Sequence, residues 1–209
     1  MIDADERRQA LIAAAVAAVD EDGAEVGMGQ IAERAGIPRP NVYRHFASKE
    51  RLDAEVAAYA SAELIGRIRP ALAGGGRPLE VIRGAVAPSF EYAAEHPHLY
   101  RFLAAQRQTR ALHRARTGRP QMLGEVVATI SAYVPHVTGV VEPPEGVLAG
   151  LMGMIDASVL WWLDHHDESE ADAVDRVARQ IHLVLSDQLR QLGLDIPDDL
   201  VLDPLPSHG

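Results

Sequence analysis

The sequence MGQIAERAGIPRPNVYRHFASKERL, residues 28–52, decides the fold of the N-terminal part of this chain. It predicts two short helices joined by a tight turn. Ile31 lies on the apolar face of the first helix, and Gly36 is typical of a helix end because glycine tolerates a left-handed backbone. Pro38 and Pro40 restrict the residues before them, so the second helix is expected to begin no earlier than about Pro40.

The second helix has one apolar and one polar face. Val42 and Phe46 are four residues apart and are expected to point inward. The opposite face carries Arg39, Asn41, Arg44 and His45. Ser48 is a suitable N-cap for a third helix that begins at Lys49. Two packed helices, the second with Arg and Asn on its free face, are typical of a helix-turn-helix that enters the major groove of DNA.

These residues resemble a known family. The segments IAERAGI, VYRHF and SKERL, at this spacing, are similar to the DNA-binding domain of the TetR family of bacterial transcriptional regulators. The resemblance implies that Tyr43 and Lys49 contact the DNA backbone, while the outer face of the second helix approaches the base edges. Pro40 stands where the family usually has a small residue, and Gly27 where it usually has Ser or Thr. The predicted DNA-binding set is Arg39, Pro40, Asn41, Tyr43, Arg44, His45 and Lys49.

Composition indicates a helical, soluble protein and fits a reducing compartment. The chain has 209 residues, of which 47% are apolar and 5% aromatic, and abundant alanine favours helix over sheet. The absence of cysteine excludes disulfides and thiolate metal sites. The charged N-terminus is not typical of a signal peptide, and no uninterrupted apolar run approaches the ~20 residues of a membrane span. A cytoplasmic protein without a membrane partner is expected.

The charge distribution is uneven. A net charge of −10 argues against DNA binding by the chain as a whole, but between Arg34 and Arg51 the basic residues outnumber a single acid, Glu50. Phosphate attraction is local because salt screens charges beyond roughly 8–10 Å. A basic stripe alone is more often a solvated helix face; the motif around it favours a DNA contact.

Helical periodicity continues to the end of the chain. One long helix is expected from Lys49 to about Arg69, with a stop or kink at Pro70, and Pro88 is expected to kink or split the next helix. The triple glycine 74–76 is expected to be a flexible connector, because no Lys-Ser/Thr follows it as in a phosphate-binding loop.

The last helices are the most apolar. One helix is expected to contain Met122, and another, from Pro144 to about Leu163, is apolar almost all round and should be buried on several sides. The last helix is expected from about Glu170 to Leu192, ended by Gly193.

The predicted fold is therefore all-α, with about nine helices. The predicted domains are a helix-turn-helix domain over 1–47, a larger helical ligand-binding and dimerisation domain over 48–193, and an extended or mobile tail over 194–209.

The resemblance implies a homodimer built by the last two long helices, which pair with their copies. Two recognition helices are needed to read both halves of a palindromic operator. The alternative is an internal helix pair in the core of a monomer.

The sequence contains no signature of an enzyme or cofactor site. HExxH, GxSxG and a GxGxxG after a strand are all missing, so no catalytic residue and no cofactor is predicted. His165 and His166 lie beside acidic residues, but histidine is favoured at a helix end, so no metal site is predicted.

Aromatic and methionine side chains suggest an apolar pocket for a small hydrophobic effector. The predicted ligand-binding set is Phe90, Tyr100, Met122, Val126, Met152, Trp161 and Trp162. Trp161 and Trp162 point about 100° apart on a helix, so at most one is expected to line the pocket, and structural packing alone is the alternative.

The predicted function is a TetR-like repressor that a small hydrophobic effector releases from its operator. The alternatives are an activator or architectural DNA-binding protein without an effector, and a helical binding protein or enzyme with a degenerate helix-turn-helix.

Overall fold

The computed structural model describes residues 4–113, 145–191, 193, 195 and 197–204. These residues form eight α-helices and no β-strand. In order the helices are α1 (Ala4–Asp22), α2 (Met28–Arg34), α3 (Arg39–His45), α4 (Lys49–Ala73), α5 (Pro78–Glu95), α6 (Pro97–His113), α7 (Glu145–His165) and α8 (Glu170–Gln191). The all-α prediction is confirmed, and the predicted helix that contains Met122 lies outside the described residues.

The described helices form two compact units. The first contains α1, α2, α3, the part of α4 up to Glu63, the end of α5 from Tyr92, and α6. The second contains residues 64–91, α7, α8 and the C-terminal residues. Both α4 and α5 therefore contribute residues to each unit.

Apolar side chains at helical spacing build the core of the first unit. The predicted inner face of α1 is buried along its length: Leu11, Ala15, Ala18 and Val19. Ile31 of α2, Val42 of α3 and Leu52 of α4 have no exposed surface. Short helices such as α2 and α3 are marginal alone, so this shared core is what holds them in place.

Both internal prolines are accommodated without ending their helices. α4 continues past Pro70, which the sequence predicted to stop or kink it. Pro70 cannot donate to the carbonyl of Gly66, but both residues are exposed, so water can replace that bond. α5 likewise passes through Pro88, and the residue four positions earlier, Gly84, again lacks a side chain that would crowd the turn.

The C-terminal residues 197–204, here called the C-terminal strap, fold back on the turn between α4 and α5. Leu202 forms an antiparallel bridge with Gly76, in which each N–H donates to the other carbonyl at 2.9 Å. Gly75 has φ +71°, and a Cβ on it would lie 2.5 Å from the Leu202 carbonyl oxygen and 2.8 Å from the Pro204 nitrogen. The predicted flexible connector is wrong at Gly75 and Gly76, because the strap packs directly on their backbone.

α7 is less buried than its composition predicts. Leu148, Leu151, Val159 and Trp162 are buried, but only 28% of the stretch Gly146–His165 is buried within one chain. This stretch is long and apolar enough to cross a membrane by length and composition alone, as the core helices of soluble proteins also are. Within the part of the chain that the structure describes, the expected burial on several sides is therefore not reached.

Candidate nucleic-acid interface

The helix α2 begins without a side-chain cap. Gly27 occupies the N-cap position with an extended backbone (φ −87°, ψ 163°). Gln30 compensates in part, because its Oε1 accepts a hydrogen bond from the Gly27 N–H at 2.8 Å. Only one half of a capping box is thus present at the start of α2.

A tight turn connects α2 to α3. Gly36 adopts φ +67°, as predicted for a glycine that ends a helix. The Gly36 N–H donates to the Glu33 carbonyl and the Ile37 N–H donates to the Ala32 carbonyl, both at 3.0 Å. These bonds satisfy carbonyls at the end of α2 and redirect the chain.

α3 begins at Arg39, one residue earlier than predicted, with Pro38 as its N-cap. Pro40 falls in the first turn, where a missing N–H has no helical acceptor to lose. The Asn41 N–H closes the turn by donating to the Pro38 carbonyl at 2.8 Å.

The two faces of α3 differ as the sequence predicts. Val42 is fully buried, and Phe46, which follows the helix, is 3% exposed beneath the guanidinium of Arg8, 5.2 Å from its ring centroid. The outer face exposes Arg39, Pro40, Tyr43 and Arg44, while Asn41 and His45 are half-buried. Six of the seven predicted DNA-binding residues thus share one short helix, and Lys49 begins the next.

Three predicted contact residues, Arg39, Tyr43 and Lys49, already have partners within the chain. The Arg39 Nη2 donates to the Tyr43 hydroxyl at 3.4 Å, and its guanidinium lies 5.9 Å from the Tyr43 ring centroid. The Lys49 Nζ lies 2.5 Å from Asp53 Oδ1, and these side chains are only 23% and 16% exposed. An ammonium has three N–H donors, so Asp53 can orient Lys49 and leave donors for a phosphate. Asp53 was missed at the sequence level, although its i,i+4 spacing was a usable signal.

The start of α4 is well capped. The Ser48 Oγ accepts a hydrogen bond from the Arg51 N–H at 3.4 Å, which confirms the predicted N-cap. Hydrogen bonds from Ser48 and from its own backbone N–H hold the pKa of the Glu50 carboxyl below its ordinary value. Glu50 is therefore ionised at a helix N-terminus, where the helix dipole favours negative charge.

The two predicted ligand-contacting tryptophans face different surroundings. Trp162 is buried and packs edge-on against the fully buried Phe90, with ring centroids 5.6 Å apart. Trp161 is 53% exposed and stacks on His165 at 3.6 Å. The sequence predicted this divergence.

The other predicted ligand-contacting residues do not form one described cluster. Tyr100 is buried in the first unit, Met152 is half-buried in α7, and Met122 and Val126 lie outside the described residues. The second unit carries an open groove of about 570 Å³ lined by Met154, Ala157, Ser158, Trp161, Asp167, Glu168 and Arg176. Trp161 is the one member of the predicted set that lines it.

The groove contains an ion pair that sequence reasoning missed. The Arg176 Nε lies 3.1 and 3.2 Å from the two carboxylate oxygens of Glu168. This hydrogen bond and charge raise the pKa of Arg176 further above its already high value, so the guanidinium stays charged. Among the described residues, no group of three or more His, Asp or Glu could hold a metal ion, and His165 Nδ1 instead pairs with the Trp161 carbonyl at 2.9 Å.

Comparisons with known proteins give the same family. The sequence profile described as "Bacterial regulatory proteins, tetR family" matches residues 11–56. A curated relative, the HTH-type transcriptional activator FasR of Mycolicibacterium smegmatis (strain ATCC 700084 / mc(2)155), is 28% identical over 178 residues, which cover 81% of this chain and 78% of the relative.

Solved structures show the same fold. A TetR-family transcriptional regulator from Streptomyces coelicolor matches with a TM-score of 0.61 and 23% identity, covering 90% of this chain and 84% of that one. A transcriptional regulator from Rhodococcus sp. Rha1 matches with a TM-score of 0.63 and 20% identity, covering 91% and 98% of the two chains. With the helix-turn-helix and its basic outer face described above, the match at residues 11–56 identifies a DNA-binding domain of the TetR type, and the chain is similar to TetR-family transcriptional regulators over most of its length.

Proposed function

We propose that this regulator reads a palindromic operator as a homodimer, with α3 in the major groove and a small hydrophobic effector controlling DNA affinity. The observation that carries the proposal is the division of α3 into a buried apolar face and an exposed face of Arg39, Tyr43 and Arg44. A helix held by its apolar face can insert its polar face into the groove without unfolding.

Each predicted contact residue has a distinct proposed role. Arg39 and Arg44 suit guanine edges and Asn41 suits adenine, since these side chains match the donors and acceptors of those bases. Tyr43 and Lys49 contact phosphates and so position the helix without reading sequence. Pro40 and His45 complete the contact surface at the two ends of α3.

The DNA proposal is tested by fluorescence anisotropy on the intergenic DNA beside the protein's own gene, against a scrambled duplex, over a salt series. We expect binding to the native duplex at least ~10³ tighter than to the scramble. Arg44→Ala should weaken specific binding by about 1–3 kcal/mol. Arg77→Ala, which removes an exposed arginine just before α5, is the matched control and should have little effect. Equal, weak binding of both duplexes would contradict a specific operator at this locus.

The dimer proposal is supported by apolar surface that one chain leaves uncovered. Trp161 on α7 and Leu183 and Val184 on α8 are 53%, 67% and 38% exposed. A Cβ added at Gly150 or Gly153 of α7 would meet no atom within 4 Å, so a second helix has room to approach there. A partner copy would cover this surface, and a dimer would supply the two copies of α3 that operator half-sites about 34 Å apart, one turn of DNA, require.

Charge at the proposed interface tests the dimer directly. Leu183→Glu should shift the protein to a monomer in sedimentation velocity, because each interface would bury two carboxylates. Val201→Glu adds the same charge at a residue with similar exposure, 65%, in the C-terminal strap, and should leave the dimer intact. A wild-type monomer, or a Leu183→Glu dimer of unchanged stability, would contradict this interface.

The effector proposal rests on the aromatic content of the second unit, in which Phe90 and Trp162 are in contact. Native mass spectrometry of the purified protein and thermal shift across a lipid and aromatic panel test it. No bound compound and no shift would count against an effector. By linkage, DNA must weaken effector binding by the same factor by which the effector weakens DNA binding.

Activation is a second candidate for the direction of regulation. The sequence-level prediction is repression, whereas the relative that is 28% identical to this chain is named an activator. Deleting the gene and measuring transcripts of the adjacent genes separates the two: a rise indicates repression and a fall indicates activation.

A further inference from the structure

The last turn of α1 has a charge that is unfavourable for a helix C-terminus. It carries three consecutive acids, Asp20, Glu21 and Asp22, here called the acidic turn, and no basic residue. Negative charge is unfavourable at a helix C-terminus, where the unpaired carbonyls already carry partial negative charge. A sequence that keeps three acids there needs a compensating partner from outside the helix.

On one side, the corner between α5 and α6 supplies two histidines. His96 Nδ1 lies 2.8 Å from Asp20 Oδ2, with both side chains about 30% exposed or less. His98 Nδ1 lies 3.1 Å from the Asp20 carbonyl and 3.2 Å from the Glu21 carbonyl. A carbonyl only accepts, so His98 Nδ1 must carry the proton, and it caps the end of α1.

On the other side, the helix-turn-helix supplies an arginine. Arg34, the last residue of α2, makes a charge-assisted hydrogen bond to Glu21 Oε2 and lies 4.0 Å from Asp22 Oδ2. The Arg34 guanidinium holds the pKa of the Glu21 carboxyl below its ordinary value. Successive residues of one turn thus connect α6 and α2, all within the first unit.

We propose that the acidic turn is a positioning junction, which fixes the helix-turn-helix relative to α6 and so supports discrimination between operator and other DNA. The inference rests on the proposed reading of DNA by α3. Arg34 acts through Glu21 on the placement of α2, and α2 supports α3 through the tight turn at Gly36. The local cost of the acids at the helix end is offset by this tertiary connection.

The test is Glu21→Lys with Glu25→Lys as its matched control. Both substitutions make the same charge change, Glu21 in the last turn of α1 and Glu25 three residues beyond the end of that helix, and both residues are exposed. Lysine at position 21 suits the helix dipole but faces Arg34, so the thermal midpoint should stay level or rise while the ratio of operator to scrambled-duplex affinity falls about 2- to 30-fold. A merely structural ion pair would change affinity only in step with stability. The ratio cancels the general attraction of added positive charge.

Two rescue experiments sharpen the outcome. The exchange Glu21→Arg with Arg34→Glu should restore the ratio, because the ion pair is rebuilt in reverse. His98→Ala should lower the ratio and His98→Asn should keep it, since the Asn Nδ2 can donate from nearly the position of the His Nδ1. Equal ratios of operator to scrambled-duplex affinity in Glu21→Lys and Glu25→Lys would overturn the junction. An exchange variant with a ratio as low as that of Arg34→Glu alone would also overturn it, because Arg34 would then act as a direct DNA contact.

Hydrogen exchange of the DNA-free protein keeps the inference separate from the proposed function. Glu21→Lys should speed exchange of the α2 and α3 amides and leave the core of α1 protected, whereas Glu25→Lys should change neither. If the wild type binds no DNA selectively, the proposed function fails, yet this exchange pattern still supports or overturns the junction.

Discussion

Alanine at Gly75 is the sharpest perturbation of the second unit. Gly75 has φ +71°, and an added Cβ would overlap the C-terminal strap, 2.5 Å from the Leu202 carbonyl oxygen. Gly193 has a similar φ of +79°, but a Cβ added to it would have no atom within 4 Å. The two alanine variants therefore share the backbone strain and differ in the contact with the strap.

The magnitude follows from this difference. Left-handed backbone costs an alanine about 1–2 kcal/mol, which is the whole expected effect of Gly193→Ala. Gly75→Ala should add the loss of the two Gly76–Leu202 hydrogen bonds at about 0.5–1.5 kcal/mol each. The extra destabilisation is then about 1–3 kcal/mol, and each kcal/mol lowers the midpoint by about 2–4 °C in a chain of this size.

Thermal and urea unfolding at one fixed protomer concentration measure this difference, because an oligomer makes the midpoint depend on concentration. Deleting residues 196–209 supplies the second half of a double-mutant cycle. In the shortened chain Gly75→Ala should cost no more than Gly193→Ala does in the full chain. Equal costs for the two variants in the full chain would refute the strap contact, and so would a Gly75→Ala cost that survives the deletion.

Three further predictions concern caps and packing. Ser48→Ala should cost about 1 kcal/mol at pH 7 by removing the N-cap of α4. The pKa of Glu50 is lower in the folded state than in the unfolded state, so the stability it contributes is present above its unfolded pKa and is lost as the pH falls through its folded pKa. Ser48→Ala should therefore make the free energy of unfolding, measured in urea, fall less steeply at acid pH. Gly27→Ser should stabilise the protein by a few tenths of a kcal/mol, since the extended backbone at position 27 suits a serine cap; an unchanged midpoint would mean that Gln30 already suffices. Phe90→Ala should cost about 3–5 kcal/mol by emptying a fully buried site, whereas Phe90→Leu should cost much less, and a mild effect of alanine would indicate that a preformed cavity lies beside the ring.

Local chemistry made much of the fold predictable from sequence. Gly23, Ser48 and Gly193 mark helix ends in the structure as they do in the sequence, because caps and left-handed glycines act over a few neighbouring residues. The inner faces of α1 and α3 follow from spacing alone. The all-helical class and the helix-turn-helix could be predicted from the sequence for the same reason.

Contacts distant in sequence were not predictable in this way. Gly75 and Gly76 were predicted to form a flexible connector, because no residue near them in sequence indicates that Leu202 packs on them. Pro70 was expected to stop or kink α4, and the helix continues past it because the single lost hydrogen bond lies on an exposed turn where water can replace it. The candidate ligand site was the least predictable part, because a pocket depends on the tertiary placement of side chains and sequence spacing does not give that placement.

α7 shows how a failed expectation carries information about assembly. Its composition demands burial on several sides, and one chain buries only part of it. Its Trp161 is exposed and a Cβ added at Gly150 or Gly153 would meet no atom within 4 Å, so part of this helix is left without a packing partner among the described residues. A membrane could also cover such a surface, but the buried Asp156 in its middle and the charged groove of Glu168 and Arg176 at its end are costly beside lipid. A second copy offers small residues at matching spacing and polar groups at the rim, so the apolar surplus of α7 supports the homodimer proposed above.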